Sequence, residues 1–287
     1  MILGLRLGGL GEGADLAEQA AVDFVLLGDP EGATDGPVGA DPLSVAAFLM
    51  TTTRKIGLVA CVRDDWAPFN VARALASFDL LSGGRCGWVA LQAGDDASRS
   101  AEHLDVVLQL FDSWEDNALV FDKASATFAD RTKVHRIRHA GAFYTVDGPL
   151  NAPRSPQGRP VLFQPIATAG DAADVVLMDL DDLGPESRAR SPTAKLLAEV
   201  AIDLGVNPER RCAALADRLA AAYAGGDCDG FVFAPANPVT DIPLLADQLV
   251  PRLHGRGLAA TAHSAGDFRT RLGLARPANR FAGQIGP

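Results

Sequence analysis

The sequence predicts a (β/α)8 barrel, the TIM-barrel fold, built as one compact domain over residues 1–287. Two observations support this fold class. Eight short apolar runs alternate with segments of helical periodicity, which is the pattern of a closed parallel barrel. The chain has 287 residues, 48% of them apolar, so it can bury a large core without disulfides or metal ions. The predicted strands cover residues 2–7, 23–27, 56–62, 86–91, 160–164, 173–178, 198–204 and 230–234.

Helical signals separate most of these strands. The predicted helices cover residues 15–21 and 43–51 and begin again at residues 68, 100, 207 and 240. Asp41 and Ser100 are the expected N-caps of two of them, and Gly83-Gly84 is an expected helix stop. Only a few residues separate Gln164 from Ala173, so we expect the helices after strands five and six to be missing or shortened.

Two segments fall outside the alternating pattern. Residues 116–160 lack a helical period and are rich in Gly, Pro, His and Arg, which predicts an insertion that carries a hairpin. Residues 257–287 form a polar C-terminal tail. The alternative fold is an open doubly wound sheet, which usually carries a glycine-rich turn after its first strand. Residues 8–13 are glycine-rich but lack the GxGxxG register.

Composition excludes several classes of partner. Lys and Arg number 26 against 36 Asp and Glu, and the net charge of −10 argues against a nucleic acid or an anionic membrane. No apolar run approaches the roughly 20 residues that cross a bilayer, and the first residues do not resemble a signal peptide. The four cysteines lack CxxC spacing, which favours buried thiols and no metal. We therefore expect a cytoplasmic protein.

Polar residues follow several predicted strands, where barrel enzymes place their active sites. Asp29 either hydrogen-bonds a ligand ring or hydroxyl, or caps the Gly-Asp-Pro corner that it belongs to. Asp64 and Asp65 are either acid–base groups or helix caps. The acidic residues after strand six either bind a divalent cation or form a solvated loop; they are Asp179, Asp181 and Asp182.

His135 and His139 are four residues apart, a spacing that can bind zinc when both lie on one helix. The sequence around them alternates like a strand, which would place the two rings too far apart for one ion. Hydrogen-bonded histidines in a hairpin are the favoured interpretation. The residues alone thus predict a barrel, and an enzyme of unidentified reaction with no assigned catalytic residue.

Several stretches resemble one known family. They are DLLSGGRCGW (79–88), FDSWEDNALVFD (111–122), the run from Lys133 to Gln164, VPRLHGRGL (250–258) and RLGLARPAN (271–279). These stretches are similar to the flavin-dependent, luciferase-like monooxygenases. The similarity is greatest to the branch of the nitrilotriacetate, pristinamycin-synthase and dibenzothiophene-sulfone monooxygenase components.

The resemblance implies an oxidoreductase, a homodimer with a barrel fold. Such an enzyme binds reduced FMN, supplied by a separate NAD(P)H-dependent flavin reductase, and oxygenates a small organic substrate. Matching the family's strand ends to this chain gives the expected cofactor-binding residues. They are Asp29, Cys61, Arg63, Trp88, Gln164 and Thr168, with Arg63 as a replacement phosphate donor.

Departures from the family pattern leave alternatives open. Family members are expected to be much longer, with insertions that wall the flavin pocket. The family's Gln-Ala-Gly-Ser-Ser phosphate loop reads Gln-Pro-Ile-Ala-Thr over residues 164–168, and proline removes one backbone N–H. A flavin-free barrel that serves as a non-catalytic partner protein is therefore an alternative. A third possibility is another small-molecule enzyme that uses Asp64, Asp65 and Asp181 as acid–base groups.

Overall fold

A computed structural model describes residues 1–29, 40–190 and 192–282 and confirms the predicted barrel. Eight parallel strands close in the order β1-β12-β11-β10-β9-β4-β3-β2. The barrel strands are β1 Ile2–Leu7, β2 Phe24–Leu27, β3 Gly57–Arg63, β4 Cys86–Leu91, β9 Val161–Pro165, β10 Val175–Asp179, β11 Lys195–Ile202 and β12 Gly230–Pro235. Because the strands are parallel, all their carboxyl ends meet at one end of the barrel, which we call the mouth.

Helices surround this barrel. They are α1 Ala14–Gln19, α2 Pro42–Thr52, α3 Pro68–Ser82, α4 Ala97–Asp112, α5 Pro185–Arg190, α6 Pro208–Ala224, α7 Pro238–Leu244, α8 Val250–Gly255 and α9 Phe268–Arg271, with a π-helical stretch Leu245–Leu249. As predicted, the described chain has no helix between β9 and β10 and only a short one after β10. Among the described helices, none combines the length and apolar character needed to cross a bilayer.

Three predicted boundaries were wrong. Helix α4 begins at Ala97 because the Asp96 carboxylate, rather than Ser100, accepts the free N–H groups of its first turn. The seventh barrel strand begins three residues before the predicted start and ends at Ile202, because the Leu204 N–H donates to the Asp241 carboxylate (2.7 Å) instead of continuing the ladder. The last predicted helix begins at Pro238 rather than Thr240, since proline fits the first helical position.

Aromatic rings fill the barrel at the amino ends of its strands, opposite the mouth. The ring centroids of Phe24 and Phe163 lie 5.2 Å apart, and that of Phe268 lies 5.9 Å from Phe24. Gly57 leaves room for this cluster, because a Cβ atom there would lie 2.5 Å from the Phe268 ring. Phe268 belongs to the C-terminal tail, so a segment that is polar in composition contributes to the barrel interior.

The segment between β4 and β9 forms two small hairpins outside the barrel. The first pairs β5 Leu119–Asp122 with β6 Thr127–Ala129, and the second pairs β7 His139–Ala140 with β8 Thr145–Val146. The Glu102 carboxylate of α4 anchors the second hairpin, where it accepts the backbone N–H groups of Ala142 (3.0 Å) and Tyr144 (2.8 Å). This segment therefore packs on the flank of the barrel and leaves the mouth open.

Candidate functional site

The mouth brings together three of the residues that the sequence singled out: Asp29, Cys61 and Arg63. Asp29 follows β2 and pairs with Arg6 at the end of β1, with 3.4 Å between Arg6 Nη1 and Asp29 Oδ1. Pro30, the third residue of the Gly-Asp-Pro corner, lies outside the described residues. Sequence reasoning missed Arg6, although a charged side chain within an apolar strand was a signal that could have identified it.

Cys61 points into the barrel interior, among the inward-facing side chains of the neighbouring strands. Burial raises the pKa of its thiol well above the ordinary value, and the carboxylates of Asp29 and Glu199 raise it further. The thiol is therefore neutral at physiological pH, and a neutral thiol is a poor nucleophile. Glu199 lies within β11, and sequence reasoning missed it as well.

Arg63 lies beside a small cleft at the mouth. Its Nε atom is 3.2 Å from Asp65 Oδ2, and its Nη2 atom is 3.5 Å from the Ala93 carbonyl oxygen. The cleft has a volume of about 130 Å³, below the ~300–1,000 Å³ usual for small-molecule pockets. It is lined by Asp41, Pro42, Leu43, Cys61, Val62, Arg63, Asp65 and Trp66. The guanidinium is thus held by its own loop and the loop after β4.

Trp88 does not reach the mouth. Its side chain is only 2% exposed and packs in the outer apolar layer, between the barrel and its helices. The neighbouring residue Val89 faces the interior instead, as expected from the alternation of side chains along a strand. This geometry gives Trp88 a packing role and no contact with a ligand at the mouth.

Gln164 and Thr168 are occupied within the loop that follows β9. The Gln164 side-chain amide donates to the Thr168 carbonyl oxygen (3.2 Å), and its Oε1 atom accepts the Gly170 N–H (3.3 Å). Thr168 is exposed, and its hydroxyl donates to the Pro165 carbonyl oxygen (3.4 Å). Both polar side chains therefore brace this loop.

The same loop determines whether the phosphate of FMN fits. A phosphate site needs N–H or cationic donors that point outward to its oxygens. Here the Ile166 N–H donates to the Leu177 carbonyl (2.8 Å), the Thr168 N–H donates to the Pro165 carbonyl (3.0 Å), and Pro165 has no N–H. The residues described at this loop therefore do not fit the phosphate group of FMN.

The carboxylates considered as acid–base groups are engaged separately. Asp64 Oδ1 accepts the Ala93 N–H (2.7 Å) and its other oxygen accepts the Ser100 hydroxyl, so Asp64 braces the loop after β4. Asp65 pairs with Arg63, while Asp181 pairs with Arg218 of α6. The barrel order places β3 and β10 three strands apart. The three carboxylates are thus not brought together as one catalytic group.

The two histidines also lie apart. His135 Nε2 is 2.6 Å from Glu115 Oε1, whereas His139 Nε2 is 3.0 Å from Glu102 Oε1 in the β7–β8 hairpin. After β10, the Asp179 carboxylate accepts the Asp181 N–H (2.7 Å), as a turn-capping residue does. Within residues 1–29, 40–190 and 192–282, no group of three or more His, Cys, Asp or Glu side chains is arranged to hold a metal ion.

Comparison with known proteins identifies relatives over most of the chain. Residues 4–201 match a family model described as luciferase-like monooxygenase. One of the two kinds of polypeptide in pristinamycin IIA synthase, from Streptomyces pristinaespiralis, is 34% identical over 279 residues, which cover 96% of this chain and 92% of that protein. Dibenzothiophene-sulfone monooxygenase of Rhodococcus erythropolis is 40% identical over 147 residues, 45% of this chain and 32% of that protein.

The solved structure of EDTA monooxygenase from Chelativorans sp. BNC1 shares the fold, with a TM-score of 0.77 at 21% identity over 96% of this chain and 99% of that chain. The expectation that relatives are much longer is wrong for the pristinamycin synthase polypeptide, which this chain covers almost completely. It holds for the dibenzothiophene-sulfone enzyme, of which the chain spans about a third. The chain belongs to the luciferase-like monooxygenase family, whose members are flavin-dependent monooxygenases.

Proposed function

We propose that this chain is the oxygenase component of a flavin-dependent monooxygenase. In this assembly, reduced FMN comes from a separate NAD(P)H-dependent flavin reductase, and the product is an oxygenated small organic molecule. The observation that carries the proposal is the match of residues 4–201 to the luciferase-like monooxygenase model. A barrel mouth lined by conformationally fixed polar groups is consistent with it.

The names of two relatives support a role as one component among several. One relative is named as a subunit of pristinamycin IIA synthase, and another is named as a component of the nitrilotriacetate monooxygenase of Aminobacter aminovorans. By analogy, we propose that this chain works beside at least one other protein. A homodimer, which the family resemblance implies, is also part of the proposal.

The cleft at the mouth is the place where a flavin ring would contact this chain. Pro42, Leu43 and Trp66 provide apolar surface, and the buried Cys61 forms part of its lining. Among the described residues that line the cleft, Arg63 provides the cation. Because the loop after β9 turns its donors inward, we assign ring contact to this chain and no phosphate contact.

The test compares two flavins that differ only in the phosphate. Reduced FMN and reduced riboflavin are titrated anaerobically against the folded chain, and binding is followed by calorimetry. We expect equal affinities, because no group described in this chain reads the phosphate. Cys61→Phe should abolish the binding of both, since the ring would fill the cleft. Phe143→Ala, on the β7–β8 hairpin, should bind as the wild type does.

A second candidate function is a flavin-free protein that supports a flavin-binding partner. The observation that favours it is the loop after β9, in which Gln164 bonds the backbone that would otherwise face a phosphate. The same titration separates the two functions. If neither flavin binds at high micromolar concentration while circular dichroism shows a folded chain, the flavin-free function is correct.

A further inference from the structure

Exposed apolar side chains surround the mouth. They follow four different barrel strands, and each is between 47% and 86% exposed: Leu10, Trp66, Val206 and Val239. Large apolar side chains exposed singly are ordinary, but several around one opening mark a surface that another molecule covers. The loops after β1, β3, β11 and β12 thus form an apolar rim, defined by these four residues.

The same rim carries carboxylates that no arginine or lysine neutralises. Five exposed acidic residues at the mouth have no basic partner within 4.0 Å among the residues that the structure describes. They are Glu12, Asp95, Asp96, Asp179 and Asp182. An acidic rim repels a free phosphate group and attracts Lys and Arg.

We propose that the mouth docks a partner protein that presents apolar side chains flanked by Lys and Arg. The apolar part of that face would cover Trp66 and Val239, and its basic residues would lie against Asp179 and Asp182. A second copy of this chain does not satisfy this description. Two mouths brought together by a two-fold axis would place the same carboxylates against each other.

The partner also accounts for the mismatch at the loop after β9. Basic side chains that approach the acidic rim would supply the cationic donors that the loop withholds from a flavin phosphate. The identification of the partner as a second component of the monooxygenase rests on the proposed function. The docking surface itself rests on the exposed apolar side chains and the carboxylates that lack a basic partner in the described chain.

Site-specific photo-crosslinking tests the proposal. The full chain is expressed in its native cells with p-benzoylphenylalanine in place of Trp66 or Val239, and crosslinked peptides are identified by mass spectrometry. Controls carry the crosslinker at Phe48 of α2 or Leu81 of α3, which are exposed on the flank of the barrel. We expect one partner protein, crosslinked from the rim and absent from the flank controls, through a peptide with Lys or Arg beside apolar residues.

Charge reversal makes the test specific. The double variant Asp179→Lys, Asp182→Lys should lower the yield of the rim crosslink about tenfold, and added salt should lower it as well. Crosslinks to a second copy, to residues 30–39 of the same chain or only from the flank would overturn the proposal. No crosslink at all, or a yield that ignores the charge reversal, would overturn it too.

The outcomes also separate docking from the proposed function. If the crosslinked complex forms as expected but binds no FMN, the flavin role fails and the docking surface stands. If the isolated chain binds FMN about tenfold more tightly than riboflavin, a difference of ~1.4 kcal/mol, this chain reads the phosphate itself. The completion of the site by a partner is then wrong, while the flavin-dependent function stands.

Discussion

The two ends of the barrel are built from opposite materials. At the amino ends of the strands, the α9 segment fills the interior with Phe268, and Arg269 pairs with Asp174 (2.6 Å between Arg269 Nη1 and Asp174 Oδ1). At the mouth, the pair between Arg6 and Asp29 is about one-third exposed and measures 3.4 Å. Apolar side chains are enclosed at the first end and exposed at the second.

This difference assigns separate tasks to the two ends. Burial of apolar side chains and of a bidentate ion pair contributes stability at the amino end. The mouth contributes little stability, and its side chains are available for contact with other molecules. Barrel enzymes show the same division, with binding at the carboxyl ends of the strands. Substitutions at the two ends should therefore differ in size of effect.

The largest effect is expected at the plug of the barrel. Phe268→Ala removes a fully buried ring that contacts Phe24 and Phe163, and should lower the free energy of unfolding by about 3–5 kcal/mol. Urea unfolding measures this loss. Val239→Ala at the mouth, where the side chain is 86% exposed, is the matched control and should change stability very little. A similar loss in both variants would erase the contrast between the ends.

The buried ion pair should follow. Arg269→Met leaves the Asp174 carboxylate without its bidentate partner, and we expect a loss of about 2–4 kcal/mol. Asp174 still accepts the Leu162 N–H (2.9 Å), so the loss should stay below that of a fully orphaned charge. Chemical denaturation checks the value, and a loss no larger than that of the Arg6→Met variant at the mouth would contradict it.

A buried carboxyl group makes the amino end sensitive to pH. Burial raises the pKa of Asp79 to about 6, although the Gln157 side-chain amide and the Cys86 N–H donate to it (2.7 and 3.0 Å). Its contribution to stability is fully present below about pH 4, where the unfolded group is also protonated, and is lost as the pH rises through 6.

Asp79→Asn should therefore be the more stable protein at pH 8, by about 2 kcal/mol, because the amide can keep both accepted bonds and carries no charge. The two proteins should approach equal stability at pH 4. Thermal melts across this range check the prediction. A constant difference between the two Tm values at all pH values would show that Asp79 does not titrate there.

The smallest effect is expected at the mouth. Arg6→Met removes the partly exposed pair with Asp29 and should cost about 0–1 kcal/mol, as surface ion pairs do. The measurement is the same denaturation as for Arg269→Met, so the two arginines form a matched pair. A loss from Arg6→Met that equals the loss from Arg269→Met would indicate that the mouth also carries the stability of the barrel.

The sequence was sufficient for the strands but not for their faces. Residues 86–91 form a strand as predicted, yet the apolar run is buried on both sides, and so its pattern contains no sign of which side chains point inward. Trp88 was consequently placed in the cofactor site, whereas it packs against helices. Arg6 and Glu199 were missed for the same reason.

Two other parts of the structure depend on distant residues. The cap of α4 was assigned to Ser100 because both Ser and Asp are good caps, and only the observed hydrogen bonds select Asp96. The plug at the amino end pairs Phe268 of the tail with Phe24, a residue of the second barrel strand. A local pattern in a polar tail contains no information about such a contact.

The position of Phe268 in the chain has a consequence for biosynthesis. The ribosome makes β2 and β3 early, but the ring that fills the space beside Gly57 emerges only after all eight barrel strands have been made. A nascent chain can therefore close its sheet while the interior still contains a gap the size of a phenyl group. Domains fold as units during synthesis, and here the final packing step waits for the last helix that the structure describes.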